Sequence, residues 1–382
     1  MRRFLILLAA ALSVVPLAPS PVAASPHVPA CGAKRTVLVP LGERAYHTAY
    51  FSSVGAETGY TDERIRWWQD LTRRHPAGIY LSNHWGTERG SIHIAFPADK
   101  VKMFWRHGSL PMIRLMPWSK RWETGADPVF TMQRIVRGDF DERLRGWFDD
   151  ARNLGIPLML EFGVEVNGEW FPWNGKWNGG GTTDGYGSDR WPDGPERFRD
   201  AYRHVITLAR QQHARKITWN FHVDADGWPK RWWNQPKWYY PGDGFIDWLS
   251  VSDYGEQVPT GNPARWNPFI EKLGDPGDPS SSYRTVRRLA PDKPFAVMEF
   301  GVTEDPDAGD KPAWITQAYD SMRGPGARYD VSLVSYWSEK WTNGNGTLSD
   351  LRVQSSPGSL TAYRTAIAGS FFATSPSFGC RA

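Results

Sequence analysis

The sequence predicts a single (β/α)8 barrel, the TIM-barrel arrangement, with long tryptophan-rich loops after its strands. Three observations carry this. Short apolar runs alternate with amphipathic stretches along the whole chain, the pattern of a parallel sheet whose crossovers are helices. Polar and aromatic residues collect where the apolar runs end, which in a barrel is the face that holds the site. A doubly wound open sheet would place a glycine-rich phosphate turn after its first strand, and Ser52-Ser53-Val54-Gly55 is not one.

The elements follow in order. Tyr46 to Phe51 reads as the first strand, and Asp62 to Arg74 as the helix after it. Gly78 to Ser82 is the second strand, Ala98 to Arg106 a helix, and Leu110 to Leu115 the third strand. Asp141 to Asn153 sets Leu144, Trp147, Phe148 and Ala151 on one helical face. The fourth strand starts at Ile156, and a long helix from Pro195 to His213 carries Phe198, Ala201, Tyr202, Val205, Leu208 and Ala209 at helical spacing. Lys216 to Phe221 and Phe245 to Val251 give the fifth and sixth strands, with Tyr283 to Leu289 helical. Phe295 to Glu299 is the seventh strand, Ala313 to Arg323 a helix, Val331 to Tyr336 the eighth strand and Leu360 to Ala368 the last helix. No linker or repeat divides them, so residues 25–382 are expected to form one domain.

The first residues have the form of a secretory leader. Met1-Arg2-Arg3 precedes an apolar run from Phe4 to Leu17, and Val22-Ala23-Ala24 is a small-residue cleavage site. Residues 1–24 are therefore expected to be removed and the rest secreted, with no membrane association afterwards. The two cysteines, Cys31 and Cys380, stand near opposite ends. In an oxidising compartment they are expected to pair and join the termini. The formal charge is +4, with acids and bases interleaved, which argues against a nucleic-acid partner. The chain is expected to act as a monomer.

Carboxylates at strand ends carry the chemistry. The run Glu161-Phe162-Gly163-Val164-Glu165-Val166-Asn167-Gly168-Glu169-Trp170 follows the fourth strand, and Glu299 closes the seventh. Two such acids facing each other across a barrel suit glycoside cleavage, one as acid/base and one as nucleophile. Among the three upstream glutamates, Glu165 has the right depth. Glu161 shares its parity one layer deeper, where a charge needs a partner, and Arg114 on the third strand is a candidate. Glu169 lies further out. Tyr254, ending the sixth strand, is placed to donate to Glu299 and hold it ionised.

The chain has 21 tryptophans, more than a core requires, and loop indoles suit stacking on sugar faces. Trp170, Trp173, Trp85, Trp118 and Trp337 all follow strands, as do Asn167 and His222, and these seven are the candidate substrate-binding residues. No His-x-His pair, His-Glu-x-x-His or Gly-x-Ser-x-Gly motif occurs, so neither a metal nor a cofactor is expected.

At these residues the chain resembles glycoside hydrolase family 26, a group of retaining barrel glycosidases that includes β-1,4-mannanases. The resemblance rests on Pro117-Trp118, on Ile135 to Asp141, on Glu165-Val166-Asn167-Gly168-Glu169-Trp170 and on Tyr240-Pro241-Gly242-Asp243. It continues through Ser252-Asp253-Tyr254, Lys293-Pro294 leading to Glu299-Phe300-Gly301, and Trp337. It implies Glu165 as acid/base, Glu299 as nucleophile, Tyr254 as the residue orienting it, and Trp170 and Trp337 as subsite aromatics. Three positions depart from the family pattern: Val164 stands where a histidine is usual, Glu161 where an arginine is frequent, and Ser338 where mannanases often have arginine. The expectation is a secreted retaining β-glycan hydrolase acting on a polysaccharide, mannanase-like. The alternatives are xylan or β-glucan cleavage, or a barrel that binds polysaccharide through its tryptophans without cleaving it.

Overall fold

A computed structural model describes residues 26–52, 59–86, 91–120, 123–324 and 326–382. The expected leader, residues 1–24, lies outside them. Eight parallel strands form the barrel: β1 (Ala45–Tyr50), β2 (Gly78–His84), β3 (Leu110–Met116), β4 (Leu158–Phe162), β5 (Ile217–Asp224), β6 (Trp248–Tyr254), β7 (Phe295–Gly301) and β8 (Leu333–Trp337). Each pairs with the next, and β8 pairs back to β1 through Tyr46–Leu333 to Tyr50–Trp337, closing the ring. Closure removes every free sheet edge.

The strands are buried on both sides. Outside, their side chains pack on the helices, as Trp219 of β5 does against Phe148 and Tyr202. Inside, alternate residues fill the barrel in layers: Tyr46 and Tyr50, Leu110 and Met112, Ala296 and Met298. The helices that cover the sheet are amphipathic. Asp141–Leu154 buries Leu144, Trp147, Phe148 and Ala151, and ends on Gly155 in the left-handed region.

One irregularity bears on the site. β7 shifts register against both neighbours around Met298. Met298 fills the barrel interior, and its neighbour Glu299 also reaches inward, to Arg114 and Tyr254. In a regular strand successive side chains point to opposite faces. The extra residue of a bulge removes that restriction.

The N-terminal end of the barrel is closed by the chain termini. Arg35–Leu38 pairs antiparallel with Phe378–Arg381, and Cys31 and Cys380 form a disulfide beside them with a Cα–Cα distance of 5.3 Å. The strap is anchored to the barrel floor. The Leu38 N–H donates to Thr218 Oγ1 at 2.7 Å, and Trp248 Nε1 donates to the Leu38 carbonyl at 3.1 Å. Asp247 accepts from Arg35, from Arg381 at 3.1 Å and from the Trp219 N–H at 2.9 Å. Among the described residues no helix is long and apolar enough to cross a membrane.

Candidate active site

The loop after β4 is shaped by its glycines. Gly163 has φ +64, and a Cβ there would lie 2.7 Å from Phe198 and 3.0 Å from Trp173. Glu165 also has positive φ, +50, a region that non-glycine residues occupy rarely and at some cost. Neighbours on both sides hold it there. Gly163 N donates to the Leu115 carbonyl on β3, Val166 N to the His222 carbonyl on β5, and Gly168 N back to the Glu165 carbonyl. The twisted loop turns the Glu165 carboxyl into the barrel mouth while Val164 packs into the core.

A cavity of about 750 Å³ opens at the C-terminal end of the strands. Glu165, Glu299, Tyr254, Trp170, Trp118 and Trp337 all line it, together with Arg114. Glu299 accepts from Arg114 Nη1 at 2.9 Å and from the Tyr254 hydroxyl at 2.9 Å. Burial raises its pKa, and Arg114, His222 and the Tyr254 hydrogen bond oppose that rise. Tyr254 itself stays a donor, because burial and the adjacent Glu299 push its pKa well up.

Glu165 is prepared differently. Trp170 Nε1 donates to Oε2 of its carboxyl at 2.6 Å, and Ser252 also hydrogen-bonds to it. Burial first, then the charges of Asp224 and Glu299, push its pKa up to about 8. The neighbouring nucleophile candidate therefore contributes, but desolvation dominates. Glu165 holds its proton at neutral pH, while at Glu299 the Arg114 guanidinium opposes the upward push of burial and favours the ionised form.

Beneath this pair lies a buried polar layer. Glu161 accepts from the Tyr80 hydroxyl, from Asn220 Nδ2 at 2.7 Å and from His222 Nδ1 at 3.1 Å. Its expected partner, Arg114, instead pairs with Glu299. The register explains this: Arg114 lies opposite Glu161 on the adjacent strand, but its side chain reaches across the barrel to the bulged strand. Burial works against protonating His222, yet Glu161, with Glu299 and Glu165, raises its pKa. Ligand-type atoms of Glu161, His222 and Glu299 lie within 4.8 Å of one another. All are committed to hydrogen bonds with Tyr80, Asn220, Ser252, Arg114 and Tyr254, and a cation there would have to displace a guanidinium.

Four candidate substrate-binding residues lie off the cleft wall. His222 is inside the barrel one layer below, between Glu161 and Ser252 Oγ, because β5 runs on to Asp224 instead of ending at Phe221. Trp85 packs in the core against Phe130, Phe140 and Phe162. Trp173 is buried and stacked on Phe171 at 4.4 Å. Asn167 spends both amide atoms on the Asp224 backbone, donating to its carbonyl at 2.8 Å and accepting its N–H at 2.7 Å. Trp337 is on the wall but only 6% exposed. Its ring stacks on Tyr50 at 3.6 Å, and the Arg114 guanidinium lies 4.6 Å from its centroid. Cleft residues not singled out from the sequence include Met116, Phe171, Asp224, Gln257 and Lys272. Asp224 carried a signal, as an acid two residues after His222 at the end of an apolar run.

No protein-family profile matches the chain. Among curated proteins it is 26% identical over 316 residues to endoglucanase H of Acetivibrio thermocellus, covering 82% of this chain and 30% of that protein. It is 22% identical over 315 residues to mannan endo-1,4-beta-mannosidase A and B of Caldalkalibacillus mannanilyticus, covering 75% of this chain and 52% of the relative. The chain thus spans between about a third and a half of these relatives' length. Solved structures share the fold. The catalytic domain of a Bacillus sp. JAMB-750 GH26 endo-β-1,4-mannanase superposes with a TM-score of 0.60 at 13% identity, covering 87% of this chain and 88% of that one. A modular endo-β-1,4-mannanase from Cellulomonas fimi gives 0.58 at 18% identity, covering 87% and 72%.

The chain is similar to glycoside hydrolases of family 26. Two of its departures from the family 26 pattern lie away from the cavity. Val164 is fully buried in the core, and its carbonyl accepts from Trp173 Nε1 at 2.8 Å. Ser338 is buried and accepts from the Val353 N–H at 3.2 Å. The third, Glu161, anchors the buried layer under the carboxylates.

Proposed function

We propose that the protein is a retaining β-glycan hydrolase with Glu165 as acid/base and Glu299 as nucleophile. The observation that carries this is the opposite preparation of two carboxyls on one cavity: Glu165 is desolvated and protonated, and Glu299 is gripped by Arg114 and Tyr254. In the first step Glu299 attacks the anomeric carbon while Glu165 gives its proton to the departing glycosidic oxygen. In the second, Glu165, now ionised, takes a proton from water, which attacks the anomeric carbon and releases Glu299. Trp170 holds the Glu165 carboxyl in place through both steps.

The substrate class follows from the relatives. One is named a mannan endo-1,4-beta-mannosidase and one an endoglucanase, so β-1,4-mannan is the first substrate proposed and β-1,4-glucan the second. Export through residues 1–24 is part of the same reading, and the disulfide is in keeping with it.

The test is release of reducing sugar from mannan, mixed-linkage glucan and xylan by the wild type and by Glu299→Gln. Hydrolysis by the wild type and none by the variant is expected. Binding without release by the wild type would make the barrel a carbohydrate-binding protein and overturn the proposal.

A further inference from the structure

Glu161, His222 and Ser252 lie beneath the cleft and are not part of its wall. His222 joins the other two: its Nδ1 is 3.1 Å from Glu161 Oε2, and its Nε2 is 2.8 Å from Ser252 Oγ. Ser252 in turn hydrogen-bonds to Glu165. We propose that these three are positioning residues for the acid/base: Glu161 holds His222 as an imidazolium, and Ser252 passes the pull of that charge to the Glu165 carboxyl. The inference rests on the glycosidase reading above and deepens it, because it says what supports Glu165 as a bare carboxylate between the two steps.

The strands set the chain in order. His222 stands two residues above Asn220 on β5, and Ser252 stands two residues above Ser250 on β6, so each pair shares the inner face of the barrel. Asn220 Nδ2 donates to Glu161 Oε2 and to Ser250 Oγ, each at 2.7 Å, and the Tyr80 hydroxyl donates to Glu161 Oε1. The chain thus starts on a carboxylate met by donors and climbs to the mouth. None of its three members is more than 2% exposed. A charge on Glu161 has no water around it and needs a charged partner, and His222 faces it at hydrogen-bonding distance.

Counting hydrogens gives the charge. Ser252 has one hydroxyl hydrogen. Given to Glu165, it leaves only lone pairs toward His222, so Nε2 must carry a hydrogen. Nδ1 must carry another, because the Glu161 oxygens beside it accept. Two ring hydrogens make an imidazolium. The electrostatics agree at both ends. Against burial, Glu161 with Glu299 and Glu165 raises the pKa of His222. Ser252 and His222 in turn oppose the rise that burial, Asp224 and Glu299 impose on Glu165. Around these groups stand Tyr80 from β2, Asp224 from β5, Tyr254 from β6 and Glu299 from β7, the last bound to Arg114 from β3. Position 161 decides the sign: an arginine there, as family 26 often has, would repel an imidazolium that glutamate attracts.

The test makes two measurements on the full chain. The first is the nitrogen NMR spectrum of the wild-type histidine rings, with His222 assigned by its loss in His222→Gln. Both ring nitrogens are expected to be protonated at neutral pH, and a neutral ring would overturn the inference whatever the activity. The second is kcat/KM against pH on a β-1,4-linked polysaccharide that the wild type cleaves. Its basic limb, near pH 8 in the wild type, is expected to move up by on the order of one pH unit in Ser252→Ala and in His222→Gln. Ser252→Thr should restore it, and the double variant should move it no further than the larger single change. A lower kcat with the limb in place, or shifts that add in the double variant, would overturn the inference and leave the glycosidase reading standing. A wild type that releases no sugar would remove both.

Discussion

At the N-terminal end of the barrel, buried Asp247 sits between Arg35, Arg381 and a backbone N–H, so its charge is matched on the spot. At the C-terminal end, Glu165 is also buried but faces Glu299 and Asp224, and its direct partners are neutral, an indole N–H and Ser252. The lower end gathers opposite charges, a disulfide and an antiparallel strap. The upper end gathers like charges, a bulge and a glutamate at positive φ. The difference teaches where stability and reactivity are kept apart. Paired charges at the floor fix the fold. Burial and neighbouring acids at the mouth lead one carboxyl to keep its proton, which is what acid catalysis at neutral pH needs.

The comparison breaks most visibly at Glu299. Glu299→Gln is expected to lower kcat by roughly 10⁴-fold or more. Its amide oxygen can still accept from Arg114, so the melting temperature should stay within a few degrees of the wild type. Steady-state kinetics and calorimetry on the same preparation check both halves.

Glu165→Gln comes next. On polysaccharide, kcat/KM should fall about 10²- to 10⁴-fold, and far less on a substrate with a strongly acidic leaving group, which departs without help. The wild-type profile of kcat/KM against pH should fall off above about pH 8, where Glu165 loses its proton. Its acid limb should lie above the ordinary glutamate value of 4.5, because burial raises Glu299. Stability carries the same signature. Glu165 binds its proton more tightly folded than unfolded, so its contribution is full below about pH 4.5 and is lost as pH rises toward 8. Glu165→Gln should therefore flatten the decline in melting temperature across that window.

Changes at the floor should do the reverse. Replacing Cys31 and Cys380 together with serine is expected to cost about 2–5 kcal/mol of stability, with kcat on polysaccharide unchanged at temperatures where the variant is folded. Asp247→Asn should cost less, about 1–3 kcal/mol, because Arg35 and Arg381 retain access to solvent. Denaturant titration measures both, and a large fall in kcat for either variant would erase the distinction between the two ends.

How much of this the sequence disclosed depends on how local each signal is. All eight barrel strands were marked by apolar runs, and the helix from Ala98 to Arg106 matches residue for residue. Runs with buried polar residues misled. β5 continues through His222 to Asp224, but its polar inward side chains read as the end of a strand, which put His222 at the rim. The sixth strand begins at Trp248 instead of Phe245, since Phe245 and Ile246 pack against the core from the preceding turn. The terminal strap joins Thr36 to Cys380 across nearly the whole chain, and only the cysteines hinted at it. Loop tryptophans were the least informative. Trp85 and Trp173 read the same as Trp170, and what buries them is Phe130, Phe140 and Phe171 arriving from elsewhere. The carboxylate pair was visible because each member closes an apolar run, although β4 stops at Phe162, before Glu165, and β7 runs past Glu299 to Gly301; the bulge that lets Glu299 and Met298 both face inward was not.

The central claim is that Glu299 attacks carbon and Glu165 moves protons. The most direct measurement is the proton NMR spectrum of the first-formed product during hydrolysis of a β-1,4-linked oligosaccharide, recorded faster than mutarotation. The β anomer should appear first and the α anomer only later. An α anomer formed first would mean that water, not Glu299, attacks the sugar, and the roles assigned to the two glutamates would be wrong.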